Sequence, residues 1–240
     1  MRALISVGCS FAYGQGLSDP TKTYAHLLAN KYDRTLFDYS RAGCSNEYIA
    51  SSCAAAIKTA MMHCKPEDIV VLIGWTDQAR MTVFDNEHGD IMSAFPHLNR
   101  KVTTIDGFIG KHAWHDSFGL YKLYHAYHYA NILCRAYNIQ CINIASISAI
   151  FAPFPSSTWK SHMAKVDTRT LFDIFDHNDR TEIQKLFSYK DSFLGLIESD
   201  KKRFAIGQDD IHPNEEAHRC WTEKIIERYD HILGCQLRTP

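Results

Sequence analysis

The sequence predicts an α/β domain with a parallel β-sheet sandwiched between helices. Three observations carry this reading. Short apolar runs that do not alternate with polar residues, ALISVG at 3–8 and DIVVLIG at 68–74, each end in glycine, the signature of strands buried on both faces. The segments between such runs carry apolar residues at helical spacing, so strands and helices alternate along the chain. There is no internal repeat, low-complexity tract or Pro/Gly/Ser linker in the 240 residues, so one domain spanning 1–240 is expected.

Taken in order, the first strand at 3–8 runs into Gly8-Cys9-Ser10-Phe11, and Thr23 to Tyr32 is predicted helical. Leu36 to Tyr39 is a candidate second strand, and the Ala-rich stretch from Ser45 to Cys64 a helix. The third strand, Asp68 to Gly74, is followed by Trp75-Thr76-Asp77. Residues 75–115 lack a clean period and are rich in His, Asp, Asn and Gly. Ser117 to Tyr137 reads as a helix and Gln140 to Ala145 as a strand. Residues 146–206 are again irregular, with Pro153, Pro155 and a short helical candidate at 180–188. Pro213 to Leu233 closes the chain as a helix, with Pro213, Glu215 and Glu216 expected in its first turn. The stretches at 75–115 and 146–206 are too long for plain connections, and are expected to be insertions that act as lids or subdomains.

Composition excludes several classes. The formal net charge is −1, so no overall field draws the chain to nucleic acid or to anionic membranes. No apolar run approaches the ~18 residues that span a bilayer. The apolar run after Met1-Arg2 is too short for a signal peptide and has no separate cleavage site, so it is read as the first strand. Eight cysteines (Cys9, Cys44, Cys53, Cys64, Cys134, Cys141, Cys220, Cys235) include no CxxC pair, which removes support for a zinc knuckle or a thioredoxin-type site. Reduced thiols in a cytoplasmic protein are expected, several packed as small apolar side chains.

In open parallel sheets, ligands bind beyond the carboxyl ends of the strands. Three small or polar clusters follow the three strands: Gly8-Cys9-Ser10, then Ser40 to Asn46, then Gly74 to Asp77. Asp209-Asp210-Ile211-His212, ahead of the last helix, brings a histidine to the same rim. Nucleophilic catalysis needs a nucleophile, a base and a group that orients the base. Ser10 sits where a tight turn exposes Oγ, and His212 is the candidate base. Asp209, three residues earlier, is expected to reach His212 Nδ1, with Asp210 turned to solvent or to helix capping. Oxyanion donors are expected from the backbone amides of Ser10 and Gly43, with either the Thr76 hydroxyl or the Asn46 amide as the third.

The order Gly-x-Ser, isolated Gly, Gly-x-x-Asp and Asp-x-x-His resembles the four blocks of the SGNH/GDSL hydrolases and spans residues 8 to 212. The resemblance implies a three-layer, flavodoxin-like α/β/α fold, an ester-acting serine hydrolase, and Ser10, Gly43 and the Asp209/His212 pair at the family's positions. Two departures stand out. Cys9 replaces the usual Asp of the first block, and Thr76 occupies the place of the third-block Asn that supplies an oxyanion donor.

The reading that follows is an esterase or deacylase acting on a small-molecule or carbohydrate ester through an acyl-enzyme on Ser10, with no metal or cofactor. Two alternatives stand beside it. One is an acyltransferase that uses the same triad toward a sugar or nucleoside hydroxyl. The other is a non-catalytic binding protein on a degenerate scaffold. Other signals weigh less. No Gly-Lys-Ser/Thr follows the first block, and Gly14-Gln15-Gly16 lacks the third glycine of a dinucleotide motif. Cys9 is a rival nucleophile, but the serine position matches the family. His112, His115, His125 and His128 invite a metal reading but include no HExxH, so a packed or solvated face is expected. Tyr121, Tyr124, Tyr127 and Tyr129 are read as packing residues. Trp75, Trp114, Phe151, Phe154 and Trp159 suit either a cleft lining or the core.

Overall fold

The computed structural model describes residues 1–78, 80–85, 90–94, 116–147 and 191–234. Along the chain run β1 (Ala3–Gly8), α1 (Ser10–Tyr13), α2 (Tyr24–Lys31), β2 (Thr35–Asp38), α3 (Asn46–Ala60), β3 (Ile69–Trp75), β4 (Met81–Asp85) and β5 (Asp90–Ala94). There follow α4 (Asp116–Ala136), β6 (Gln140–Ala145), α5 (Phe193–Ser199), α6 (Lys201–Phe204) and α7 (Glu215–Leu233). Four strands form one sheet in the order β2-β1-β3-β6, every neighbouring pair parallel.

Strands β1 and β3 are buried at every position, which is why their sequences run apolar without alternation. The chain leaves β1 toward β2 on one side and returns to β3 on the other. That reversal opens a crevice at the carboxyl ends of β1 and β3, where open α/β sheets bind ligands. Helix α3 packs on β1, β3 and α4, while α2 packs on β1, β2 and α7. The result is the three-layer α/β/α arrangement expected from the sequence.

Helix faces follow from apolar spacing. In α3 the buried set is Asn46, Ile49, Ala50, Cys53, Ala56, Ile57 and Ala60, a stripe of mostly small residues that lets the helix lie close to the sheet. In α7 the buried set is Ala217, His218, Trp221, Thr222, Ile225 and Leu233. Side-chain oxygens cap five helices: Thr23 for α2, Ser45 for α3, Ser192 for α5, Asp200 for α6 and Asn214 for α7.

Phe193 is the hub beneath the crevice. Its ring stacks on Trp221 with centroids 5.1 Å apart and meets the edges of Phe11, Tyr24 and His218. His218 is fully buried, and its Nδ1 accepts the Tyr24 amide hydrogen at 3.2 Å. At the opposite end of the sheet Arg34 is 8% exposed and donates to the carbonyls of Leu233, Ala3 and Asp68.

Differences from the sequence expectation are local. Pro213 lies outside α7 and pairs with Ala205 in an isolated antiparallel bridge, which holds its backbone extended; Asn214 is the N-cap instead. Glu215 and Glu216 do fill the first turn. Within 75–115 the chain forms the antiparallel pair β4 and β5. The short helices α5 and α6 fall in a stretch that the sequence leaves irregular. The helical candidate at 180–188 lies outside the described residues. Among the described residues no helix is long and apolar enough to cross a membrane.

Candidate active site

Ser10 is placed by the end of β1. Gly8 lies opposite Gly74 in the parallel register, and a Cβ on Gly8 would stand 2.5 Å from the Ala12 Cβ. Glycine therefore lets α1 fold back onto the strand, with Ser10 as its first residue. The Cys9 carbonyl accepts the amides of Ala12 and Tyr13, and Gly14 ends the helix in the left-handed region at φ 77°. Cys9 provides no side-chain cap, and among the described residues the Ser10 amide donates to nothing. Cys9 itself is fully buried.

The loop from β2 to α3 is fastened to the same strand end. The Arg41 amide and the Cys44 thiol both donate to the Gly8 carbonyl, at 3.0 and 3.2 Å. Gly43 lies between those two ties with φ 76°, a conformation that L side chains rarely adopt. Its amide likewise donates to nothing among the described residues.

Asn46 and Thr76 have different tasks. Asn46 is 2% exposed, and its Oδ1 accepts the Thr76 amide at 2.9 Å. Its Nδ2 donates to the carbonyls of Thr76 and Asp77, at 3.1 and 3.4 Å. Both amide hydrogens are thus committed to the backbone after β3, so Asn46 fixes that turn and has no donor to spare. The Thr76 hydroxyl is buried and has no hydrogen-bond partner among the described residues.

His212 stands against the residue after Ser10. Its ring centroid is 5.7 Å from that of Phe11, at an interplanar angle of 69°. Asp210 Oδ1 accepts from both the His212 amide at 2.9 Å and Nδ1 at 2.5 Å. These two bonds hold the Asp210 carboxyl below the usual carboxylate range. Asp209, expected on Nδ1 from its spacing, is exposed and makes no hydrogen bond among the described residues. The difference has a backbone cause. The turn brings an aspartate two residues before the histidine onto its amide, an Asx turn, and the ring follows the same carboxylate. A residue pattern of Asp-x-His carries that signal. Among the described residues neither Ser10 Oγ nor His212 Nε2 makes a hydrogen bond.

Other sequence candidates lie elsewhere. Trp75 is buried, with Nε1 donating to Asn143 Oδ1 at 2.9 Å. His125 packs on Tyr121 at the surface of α4. Trp114, Phe151, Phe154, Trp159, His112 and His115 are outside the described residues. Among the described residues no three His, Cys, Asp or Glu side chains are grouped to hold a metal ion.

No family model and no curated protein matches the sequence. Solved structures do match the fold. The protein TesA superposes over 95% of this chain and 98% of its own, with a TM-score of 0.54 at 13% identity. The psychrotrophic esterase EstA from Pseudoalteromonas sp. covers 98% and 100%, with 0.51 at 13% identity. A lipolytic G-D-S-L family protein from Veillonella parvula covers 97% and 100%, with 0.50 at 13% identity. The chain has the SGNH/GDSL hydrolase fold. In that fold the crevice at β1 and β3 is the place where the sequence blocks expected to carry the chemistry meet.

Proposed function

We propose that this protein is a serine hydrolase acting on esters, with Ser10 as nucleophile, His212 as general base and Asp210 as the carboxylate that orients His212. The observation that carries the reading is one juxtaposition: the Asp210–His212 pair rests against Phe11, the neighbour of Ser10, at the carboxyl end of β1. Asp210 on Nδ1 fixes the tautomer that leaves Nε2 free to take a proton.

Ser10 Oγ attacks the acyl carbonyl as its proton passes to Nε2. The tetrahedral oxyanion is held by the amides of Ser10 and Gly43 and by the Thr76 hydroxyl, donors that no other described residue engages. Collapse expels the alcohol, which takes the proton from Nε2. Water then repeats the sequence on the acyl-enzyme and releases the acid. Thr76 thus stands in for an asparagine donor, and Asn46 acts through the Thr76 backbone. The substrate is a small-molecule or carbohydrate ester. A reducing, cytoplasmic setting is part of this proposal, since the chain is not a small cysteine-dense scaffold.

Turnover of p-nitrophenyl acetate tests the reading. Ser10→Ala and His212→Ala should each lose about 10³-fold or more in kcat. Wild-type turnover in Ser10→Ala would remove Ser10 as the nucleophile, and a wild type without turnover would leave the fold as a binding scaffold. Diversion of product to an added sugar or nucleoside alcohol would make the same triad an acyltransferase.

A further inference from the structure

The turn that presents His212 is closed by backbone bonds at its base. Ile206 donates to the His212 carbonyl at 2.9 Å, Gly207 to Asp210 at 3.2 Å, and Asn214 to Phe204 at 2.9 Å, while Ala205 bridges Pro213. One side chain joins this base to the helices on either side. Asn214 Oδ1 accepts the Ala217 amide at 3.0 Å and so caps α7. Its Nδ2 donates to the carbonyls of Arg203 and Ala205, at 2.7 and 3.2 Å. Every hydrogen-bonding atom of the carboxamide is engaged, half of it on α7 and half on the end of α6 and the start of the turn.

We infer that Asn214 is a positioning residue for His212, and this rests on the hydrolase reading above. Capping alone does not require asparagine, since aspartate and serine cap as well. The two bonds from Nδ2 do require it, because a carboxylate has no hydrogen to give and would face two carbonyl oxygens. Asn214→Asp therefore separates the roles. It keeps the α7 cap, with a negative charge at a favourable helix end, and releases the His212 turn. A displacement of about 1 Å at a catalytic group costs about 10²-fold in rate.

The experiment measures the second-order rate constant for labelling by a fluorophosphonate probe against pH, with thermal midpoints taken in parallel. Asn214→Asp should react roughly 10- to 100-fold more slowly, with a shifted acid limb and a midpoint that falls with the two lost bonds yet stays above the assay temperature. A lesion that only unfolds molecules lowers the labelled fraction and leaves the rate constant and the limb in place. Glu216→Gln is the control. It removes the exposed Arg203–Glu216 pair that also ties α6 to α7 and should label at the wild-type rate. Wild-type labelling in Asn214→Asp overturns the inference and spares the Ser10 assignment. Equal losses in Asn214→Asp and Glu216→Gln overturn it in favour of a general α6–α7 tether. Failure of the wild type to label above Ser10→Ala overturns the hydrolase reading, and the inference falls with it.

Discussion

Replacing His218 with Gln should flatten the acid side of the stability profile. The imidazole is fully buried against Phe193 and Tyr24, and its Nδ1 accepts the Tyr24 amide hydrogen. Protonation would charge a buried ring and set one N–H against another. Burial accordingly pushes the pKa from the ordinary 6.5 down to about 3. The folded state then binds fewer protons than the unfolded chain, so stability falls as pH drops below about 6.5 and goes on falling until about pH 3. Linkage gives a loss on the order of 1 kcal/mol between pH 7.5 and 5.5 and on the order of 3 kcal/mol between pH 7.5 and 4.5 from this residue alone. Urea unfolding at each pH measures it. The other twelve of the thirteen histidines contribute to both proteins, so the difference in slope between wild type and His218→Gln isolates the one ring. Glutamine can offer Oε1 to the Tyr24 amide and does not titrate. Parallel profiles for the two proteins would refute the reasoning.

Three further outcomes are expected. Thr76→Val should lower kcat by about 10²-fold with little change in KM, because it deletes a donor and preserves shape; an unchanged kcat would remove the hydroxyl from the oxyanion site. Asp210→Asn should lower kcat/KM about tenfold or more, less than for a buried triad aspartate because its side chain is 49% exposed, while Asp209→Asn leaves it near wild type; the reverse ranking in steady-state assays would reassign the carboxylate. Arg34→Ala should cost about 3 kcal/mol in urea unfolding and Arg34→Lys most of that, since a compact ammonium cannot reach three carbonyls as the guanidinium does.

The central strands were legible because burial on both faces forces continuous apolar runs, and the rule that ligands sit at carboxyl strand ends led from them to Ser10, Gly43, Thr76 and His212. What stayed hidden depends on contacts distant in sequence or on backbone detail. Asn46 and Thr76 are both polar residues at the rim, and only their pairing across thirty positions shows which one has a donor to spare. Asp209 and Asp210 are adjacent and chemically equal, so the conformation of one turn decides which meets His212. Pro213 follows a good rule for helix starts, yet the bridge to Ala205 claims its backbone first. With four residues, α1 is too short to leave a periodic trace.

The most direct measurement is the site of covalent labelling. The protein is incubated with a fluorophosphonate probe at neutral pH, digested and read by tandem mass spectrometry, with His212→Ala alongside. One phosphonylated residue is expected, Ser10, formed rapidly in wild type and far more slowly in His212→Ala. An unlabelled Ser10, or labelling that is indifferent to His212, would contradict it.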